Sequence, residues 1–511
     1  MIRFQLTETA LWDNNVDSFI FLVPEGLDSP STTTTLDSIE KNYCTAVRSI
    51  FKKDKFEGKK GQIRVVHGSN NNQLVFFVFV GLGKPSKSWH TDLETFRRGI
   101  GHAVQQLKRL NSEHAALVVP SETPYKISAE EMLKQLVITG MMADYEFTTY
   151  KSNREATPWA GTLHLVVTND KITALAPALN QGLIIGEAIN EARHWCDLPG
   201  NILTPTQLSK EAERVAQEHY LSCTVFGRER ATELGMGAYL SVDAGSDQDG
   251  KFVILEYKTK EKNAPTIALV GKGVTYDTGG ISLKAANFMQ GMHYDMSGAA
   301  AVIATMKIIA QLKPNVNVVG ITPLVENMPS GKASRQDDIV RCMNGKTVEI
   351  KNTDAEGRLI LSDALCYAEK FYNPEVIIDI ATLTGACLYA LGYFYTGLMT
   401  QDEDLLRSLP TIGNLTGDRV WPLPLDDDYK PANNSQVADI SNSGSNEYKA
   451  GTIIGACFLQ EFVKNAKWAH LDIAGTADTV PGVSYLGKTS AGAGIRLFVE
   501  FLMNYKTYIP S

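Results

Sequence analysis

The chain has few cysteines and no long apolar run, and both features limit the cellular compartments in which we expect to find it. Its seven cysteines are scattered over 511 residues and never form C-x-x-C. This pattern predicts a reducing, cytoplasmic compartment in which cysteines serve as small core residues. No apolar run follows a basic start at the N-terminus, so no signal peptide is predicted. The most apolar run, Leu74 to Gly83, is too short to span a bilayer and predicts a buried strand.

The chain also lacks an excess of positive charge. Its 49 basic and 57 acidic residues give a net charge of -8, which argues against a nucleic-acid or anionic-membrane partner. The basic run Lys52 to Lys60 has no interleaved aromatic residues, and we interpret it as a solvated loop. The Gly-Lys pairs in GLGKPS and PSGKAS lack the full phosphate-loop spacing G-x-x-x-x-G-K-[ST], so they predict turns after strands.

The length predicts two or more domains, because 511 residues exceed one hydrophobic core. Strand-like runs alternate with helical stretches in both halves, which indicates an α/β fold. Between the halves, apolar residues at helical spacing predict a linker helix that ends at Pro199-Gly200. We therefore predict an N-terminal α/β domain (1–177), a linker helix (178–199) and a larger C-terminal α/β domain (200–511). The later strands are apolar on both faces, which predicts a mixed, largely parallel central sheet flanked by helices.

The octapeptide NTDAEGRL places two carboxylates, Asp354 and Glu356, two residues apart. In an extended segment their side chains leave on the same side. Like charges about 4 Å apart cost roughly 4 kcal/mol at an effective dielectric near 20. A positive group must compensate this repulsion. Arg358 alone would give a structural salt-bridge turn, whereas bound metal ions would give a catalytic site.

Upstream residues favour the metal interpretation. Lys272, Asp277 and Lys284 follow the strand-like run TIALV, at the carboxyl end where open α/β sheets place their sites. Asp295 precedes a long apolar helix, where a lone aspartate is usually a cap. With the octapeptide, four carboxylates match two divalent cations, and an oxygen-rich, histidine-poor set suits Mn²⁺, Mg²⁺ or Zn²⁺. For His293, which precedes Asp295 by two residues, a packing or surface role is favoured over ligation.

Five motifs carry a family resemblance. VGKGVTYDTGGISLK, DMSGAAAV, NTDAEGRL, ATLTGA and WAHLDIAG resemble the signature blocks of the leucine (cytosol) aminopeptidases, the M17 metallopeptidases, and occur in the same order. The resemblance covers about Asn201 to Gly475; the preceding part is similar to the family only in length and α/β pattern. It implies that 200–511 is a dinuclear-metal peptidase domain.

The resemblance also implies roles for individual residues. One metal ion would be held tightly by Lys272, Asp277, Asp295 and Glu356. A more exchangeable ion would be held by Asp277, Asp354 and Glu356, helped by the backbone carbonyl of Asp354. Lys272 can ligate only as a neutral amine, and two adjacent dications would lower its pKa strongly.

The remaining implied residues bind or activate the substrate. Lys284 would stay charged and polarise the scissile carbonyl. Arg358 would bind a bicarbonate that serves as general base, since a guanidinium does not itself deprotonate in proteins. Met292, Thr382 and Gly385 would line the pocket for the N-terminal side chain.

The implied function is a cytosolic leucyl-type aminopeptidase that hydrolyses peptides with a free N-terminus. It would use two divalent ions per subunit, Mn²⁺ or Zn²⁺ or else Mg²⁺, with bicarbonate, and would release Leu, Met and other residues. The family implies a homohexamer, and no membrane or nucleic-acid partner is expected. Two alternatives stay open: a dinuclear metal phosphoesterase, and a non-catalytic scaffold or nucleic-acid-binding member of the fold.

Overall fold

The chain forms two compact units. The computed structural model describes residues 2–8, 16–26, 30–43, 45–70, 73–86, 88–119, 127–152, 159–444 and 447–510. One unit comprises Met1–Asn190 with Gly482–Gly487, and the other comprises Glu191–Pro481 with Lys488–Ser511. The domain boundaries expected from the sequence, at 177 and 200, stay a prediction, and the division between these units falls inside a helix.

The first unit is built on a mostly parallel sheet. Its strands are β1 Arg3–Thr7, β2 Ser18–Pro24, β3 Ile63–Asn70, β4 Gln73–Gly83, β5 His114–Val118 and β6 Thr162–Val166. Among the described residues these six strands are ordered β1-β6-β5-β2-β4-β3, with only β3 and β4 antiparallel. Its helices are α1 Pro30–Asn42, α2 Val47–Asp54, α3 Trp89–Leu110, α4 Ala129–Asp144 and α5 Asn169–Asp197. The predicted apolar strand Leu74 to Gly83 is therefore a buried strand, β4.

Helix α5 is longer than the linker helix expected from the sequence. It begins at Asn169 and continues through Pro177, where the sequence predicts a boundary. Among the described helices, Asp170–Asp197 alone is long and apolar enough, by length and composition, to cross a membrane. A core helix of a soluble protein meets the same criterion. Within the second unit, Glu191 of this helix is ion-paired with Arg214 and Lys307.

The second unit is larger and contains the predicted motifs. Its strands are β7 Ser222–Phe226, β8 Lys251–Tyr257, β9 Thr266–Gly271, β10 Gly273–Asp277, β11 Asn317–Asn327, β12 Ile339–Arg341, β13 Thr347–Glu349, β14 Val376–Ala381, β15 Thr396–Thr400, β16 Val420–Pro422, β17 Ile440–Ser441 and β18 Lys467–Asp472. Its helices are α6 Pro205–His219, α7 Arg228–Glu233, α8 Gly237–Asp243, α9 Ala286–Met289, α10 Ser297–Leu312, α11 Glu356–Tyr372, α12 Gly385–Leu391, α13 Glu403–Thr416, α14 Gly451–Gln460, α15 Ile495–Met503 and α16 Tyr505–Tyr508.

The larger sheet of this unit brings the motifs to one edge, while among the described residues β12, β13 and β17 form a separate three-stranded sheet. In the described residues the larger sheet has the order β16-β15-β18-β14-β9-β11-β8-β7, and β10 also pairs with β11. β18, β14, β9 and β11 run parallel, so their carboxyl ends meet at the same edge. Successive residues of β9 face opposite sides of the sheet, and both sides are buried. Ala268 and Val270 join a hydrophobic cluster with residues of α11 and α14, and Ile267 and Leu269 are buried as well. The predicted mixed, largely parallel α/β sheet flanked by helices is confirmed.

Candidate metal centre

Lys272 is buried at the carboxyl end of β9 and is 2% exposed. Its Nζ lies 2.7 Å from Asp295 Oδ2 and 2.8 Å from Glu356 Oε1, and donates to the Thr382 carbonyl at 2.9 Å. Burial by itself lowers the pKa of Lys272. The surrounding carboxylates, Asp295 first, raise this pKa by more than burial lowers it, so the net pKa lies above the ordinary lysine value.

Lys284 holds the second pair of carboxylates. Its Nζ lies 2.8 Å from Asp277 Oδ2 and also forms an ion pair with Asp354. Burial opposes the charge of Lys284, yet Asp277 and the other carboxylates together raise its pKa. Asp354 is the most accessible of the predicted ligands, with 32% of its side chain exposed. All four predicted carboxylates and both lysines therefore lie in one cluster.

The cluster fits divalent cations. Oxygen atoms of Asp277, Asp354 and Glu356 lie within 4.8 Å of one another. Glu356 Oε2 is buried, and in the described part of the chain it has no hydrogen-bond partner. Burial raises the pKa values of Glu356 and Asp295, with further repulsion from Asp277. Four carboxylates against two ammonium groups leave an excess of two negative charges, so the site favours additional positive charge.

The local conformation around the octapeptide differs from the extended segment considered above. Asp354 lies in a turn, and Glu356 is the first residue of α11. The turn is held by Asp354 N, which donates to Asn352 Oδ1 at 2.9 Å. A turn that leads into a helix still brings the two carboxylates together. It also places Glu356 in the first helical turn, where the helix dipole favours a negative charge.

Asp295 is not the cap of α10. The helix begins at Ser297, preceded by Met296, whose side chain makes no capping bond. The Asp295 carboxylate instead accepts hydrogen bonds from Lys272 at 2.9 Å and from the Thr382 hydroxyl at 2.6 Å. Asp295 therefore does not cap α10, and its carboxylate is instead bonded to two other residues of the cluster, Lys272 and Thr382.

Arg358 lies next to the cluster on α11 and is buried. One guanidinium nitrogen donates to the Asn442 carbonyl at 2.8 Å. Its Nε has no hydrogen-bond partner among the described residues. Burial lowers the pKa of Arg358 to about 10. The salt-bridge turn considered for Arg358 is not formed, because Asp354 and Glu356 pair with lysines. A buried, incompletely bonded guanidinium has donors left that an anion could accept from.

The three predicted pocket residues occupy different environments. Met292 is half-buried in the short 3-10 helix Met292–Tyr294. Gly385 is exposed at the start of α12, with open space where a side chain would project. The Thr382 side chain is engaged with Asp295. His293, favoured above for packing, borders a separate cavity of about 450 Å³ that Tyr276 and Glu326 also line.

Sequence reasoning missed two polar residues that support the cluster. Asn327, the last residue of β11, donates to Asp277 Oδ1 at 2.9 Å. Asp472, at the end of β18, accepts from the Thr384 hydroxyl at 2.6 Å and from Leu383 N at 3.2 Å, and so anchors the loop that carries Thr382. Both residues lie at the carboxyl ends of strands; Asp472 is inside the quoted motif WAHLDIAG, whereas Asn327 is outside all the quoted motifs, and no sequence signal gives either residue its partners.

Comparisons with known proteins agree with this geometry. The family model described as cytosol aminopeptidase family, catalytic domain, matches residues 190–499. The model for the N-terminal domain of the same family matches residues 20–154, a part in which the sequence motifs showed no specific resemblance. The two matched regions together cover most of the chain.

Individual relatives are similar over nearly the full length. A probable cytosol aminopeptidase of Nitrosospira multiformis is 39% identical over 94% of this chain and 91% of its own. One from Aquifex aeolicus is 37% identical over 93% and 94%. Among solved structures, the bottromycin maturation enzyme BotP in complex with Mn is 28% identical, with a TM-score of 0.83 over 96% of this chain and 99% of that one. The chain therefore belongs to the cytosol aminopeptidase family and is a metal-dependent aminopeptidase.

Proposed function

We propose that this protein binds two divalent metal ions in the cluster and releases N-terminal amino acids, Leu and Met among others, from peptides with a free N-terminus. The observation that carries the proposal is the approach of the Asp277, Asp354 and Glu356 oxygens to within 4.8 Å of one another. An unbonded buried oxygen, Glu356 Oε2, lies in the same group. Carboxylates are brought this close, against their repulsion, where cations bind between them.

Asp277 and Glu356 would belong to both proposed ligand sets. Lys272 and Asp295 complete one set, and Asp354, through its side chain and backbone carbonyl, completes the other. Mn²⁺ or Zn²⁺ are the proposed ions, with Mg²⁺ as a further candidate; Mn is the ion named for the similar BotP structure. When bound, the ions supply Lewis-acid activation of water and of the peptide carbonyl. Lys272 would belong to the first set as a neutral amine, because only an unprotonated nitrogen has a lone pair for an ion.

Two cationic side chains provide the rest of the chemistry. Lys284 is 14% exposed on the open side of the cluster, where its ammonium group stabilises negative charge on the substrate oxygen. Arg358 would hold a bicarbonate through its guanidinium donors, and the bound bicarbonate would supply a proton acceptor beside the cluster. The support for this assignment is the buried guanidinium with an unbonded Nε, together with the fact that arginine cannot itself act as a base.

The substrate side chain is proposed to bind near Met292 and Gly385. Thr382 fixes Asp295 through its hydroxyl, so its contribution to the pocket is indirect. An apolar pocket distinguishes substrates by only about 1–3 kcal/mol per methylene. Broad specificity for apolar N-terminal residues follows.

We further propose a cytoplasmic homohexamer. The location is supported by the names of the relatives, probable cytosol aminopeptidases, and by scattered cysteines without a disulfide pattern. The assembly is an implication of the family. Light scattering after size-exclusion chromatography measures it directly, and a monomer at micromolar concentration would refute it.

The test of the proposed function is hydrolysis of leucine anilide by chelated protein, with and without added Mn²⁺ or Zn²⁺. Turnover that appears only with metal supports the proposal. Nitrophenyl phosphate is the comparison substrate, because its hydrolysis in place of leucine anilide would identify the alternative phosphoesterase. Full turnover by protein shown by elemental analysis to be metal-free would exclude the two-ion assignment.

A further inference from the structure

We propose that Asn327 is a positioning residue that orients the two carboxylate segments of the exchangeable metal position. This inference rests on the proposed function of the cluster. Asn327 is 4% exposed and ends β11, where it pairs in register with Asp277 of the parallel strand β10. Adjacent parallel strands thus deliver a carboxylate and a carboxamide to the same point at the sheet edge.

Both amide hydrogens of Asn327 are used on this site. Nδ2 donates to Asp277 Oδ1 at 2.9 Å and to the Thr353 carbonyl at 3.0 Å. Both partners are acceptors only, so the amide nitrogen must face them. One side chain therefore joins Asp277 to the residue that immediately precedes Asp354.

The bond to Asp277 selects which of its oxygens is free. Oδ1 accepts from Asn327 and also from Gly279 N at 2.9 Å. Oδ2 is left to face Lys284, at 2.8 Å. With Oδ1 bonded in this way, the carboxylate cannot rotate without breaking two hydrogen bonds, and Oδ2 remains directed into the cluster.

The bond to Thr353 fixes the second segment. The Thr353 hydroxyl donates to the Gly279 carbonyl at 2.7 Å and accepts from Ser282 N at 2.8 Å. The loop after Asp277 and the turn before Asp354 are thus tied together, with Asn327 bonded to both.

The position requires a carboxamide in a fixed plane. A side chain at Gly280 would place its first carbon 2.8 Å from Asn327 Oδ1, so this glycine leaves the space that the amide oxygen occupies. An aspartate would carry no hydrogen for Asp277 or Thr353, and an apolar residue would remove the donor to the Thr353 carbonyl and leave Asp277 Oδ1 with Gly279 N alone. Supporting hydrogen bonds of this kind change metal affinity by about 10–100-fold.

The test compares Asn327→Ala and Asn327→Ser with Asn317→Ala. Asn317, at the other end of β11, also makes two hydrogen bonds through its carboxamide, but one is donated to the Ala264 carbonyl and one is accepted from Thr259 N, both at 3.1 Å. Metal binding to chelated protein is measured by titration with Mn²⁺ and by elemental analysis at fixed free metal. Thermal unfolding of the metal-free proteins reports any purely structural effect.

Asn327→Ala should weaken the ion held by Asp277, Asp354 and Glu356 by about 10–100-fold. The ion held by Lys272 and Asp295 should weaken less. Asn327→Ser, which keeps one donor, should lie between alanine and wild type, and turnover should recover as free Mn²⁺ is raised. Asn317→Ala should bind metal as wild type does.

Unchanged metal affinity in both Asn327 variants would overturn the inference, as would an equal loss in Asn317→Ala. If the Asn327 variants are less stable than wild type without metal but bind metal with wild-type affinity, the role of Asn327 is structural only. Failure of the wild-type protein itself to bind metal would instead refute the proposed function, so the two failures are distinguishable.

Discussion

Replacing Arg358 with methionine should remove activity while leaving the metal in place. Burial lowers the pKa of Arg358 to about 10 from 12.5, which corresponds to about 3 kcal/mol against the charged form. Because the folded-state pKa is the lower one, this cost is fully present at pH 7 and is relieved only as the pH rises through about 10. Methionine removes the cost but leaves the Asn442 carbonyl without its donor, a loss of about 1–3 kcal/mol.

The free energy of unfolding of Arg358→Met should therefore match wild type or exceed it by up to about 2 kcal/mol. Its kcat should fall about 10²–10⁴-fold, the usual contribution of a general base. The assay measures metal content, thermal midpoint and kcat in carbonate-free buffer and after addition of bicarbonate. Bicarbonate should raise the midpoint and kcat of wild type and change neither in the variant.

A matched control is Arg496→Met. Arg496 is buried like Arg358 but is ion-paired with Asp418. Its removal should cost about 3–5 kcal/mol, because a buried charge loses its partner, and should leave the bicarbonate response intact. If Arg358→Met loses metal as completely as Asp354→Asn, the guanidinium is a structural brace and the assignment of the base fails. Equal stabilisation of wild type and Arg358→Met by bicarbonate would mean that no anion binds at the guanidinium.

Three further outcomes follow from the site. Leucine amide should be cleaved and N-acetyl-leucine amide should be nearly inert, because the proposed site binds the free amine; comparable rates, measured by amino-acid release, would make an amidase the better description. Asp354→Asn and Glu356→Gln should lose metal with activity, whereas Lys284→Ala should keep both ions in elemental analysis and lose about 10²–10³-fold in kcat; metal loss in Lys284→Ala would make Lys284 part of the structural cluster. Burial raises the pKa of Asp363 to about 7, so its ionised form destabilises the fold; relative to Asp363→Asn, wild-type stability should fall by about 4 kcal/mol between pH 4 and 8, and a pH-independent difference in denaturant unfolding would contradict this.

The fold was predictable where burial leaves a strong pattern. Strands such as β9 and β14 are apolar on both faces because helices cover both sides of the sheet, and their sequences show this directly. Helix α5 begins earlier than the linker helix predicted from the apolar helical spacing after Pro177. The structure accommodates the proline inside the helix, where its missing N–H costs one backbone hydrogen bond.

The ligands of the centre could be predicted, but their supports could not. Carboxylates and lysines are chemically conspicuous in a sequence, and the resemblance assigns them residue by residue. Asn327 and Asp472 act only because β11 lies beside β10 and β18 beside β14. That information is in the order of strands within the sheet. Hydrophobic periodicity gives the existence of a strand and not its neighbours.

The glycine in NTDAEGRL shows how closely the metal centre and the fold depend on each other. A side-chain carbon at Gly357 would lie 2.7 Å from Lys272 Cε and 2.9 Å from its Nζ, closer than non-bonded atoms approach. Because Gly357 has no side chain, the Lys272 side chain crosses the first turn of α11 and reaches Glu356 Oε1. At the other end of the lysine, a carbon at Gly298 would lie 2.9 Å from Lys272 N and 2.2 Å from the Ile380 carbonyl. Two glycines from different helices therefore make room for one buried lysine. The pair of carboxylates in the octapeptide and the arginine after them are chemical requirements, whereas the glycine between them is a steric one imposed from 85 residues earlier in the chain.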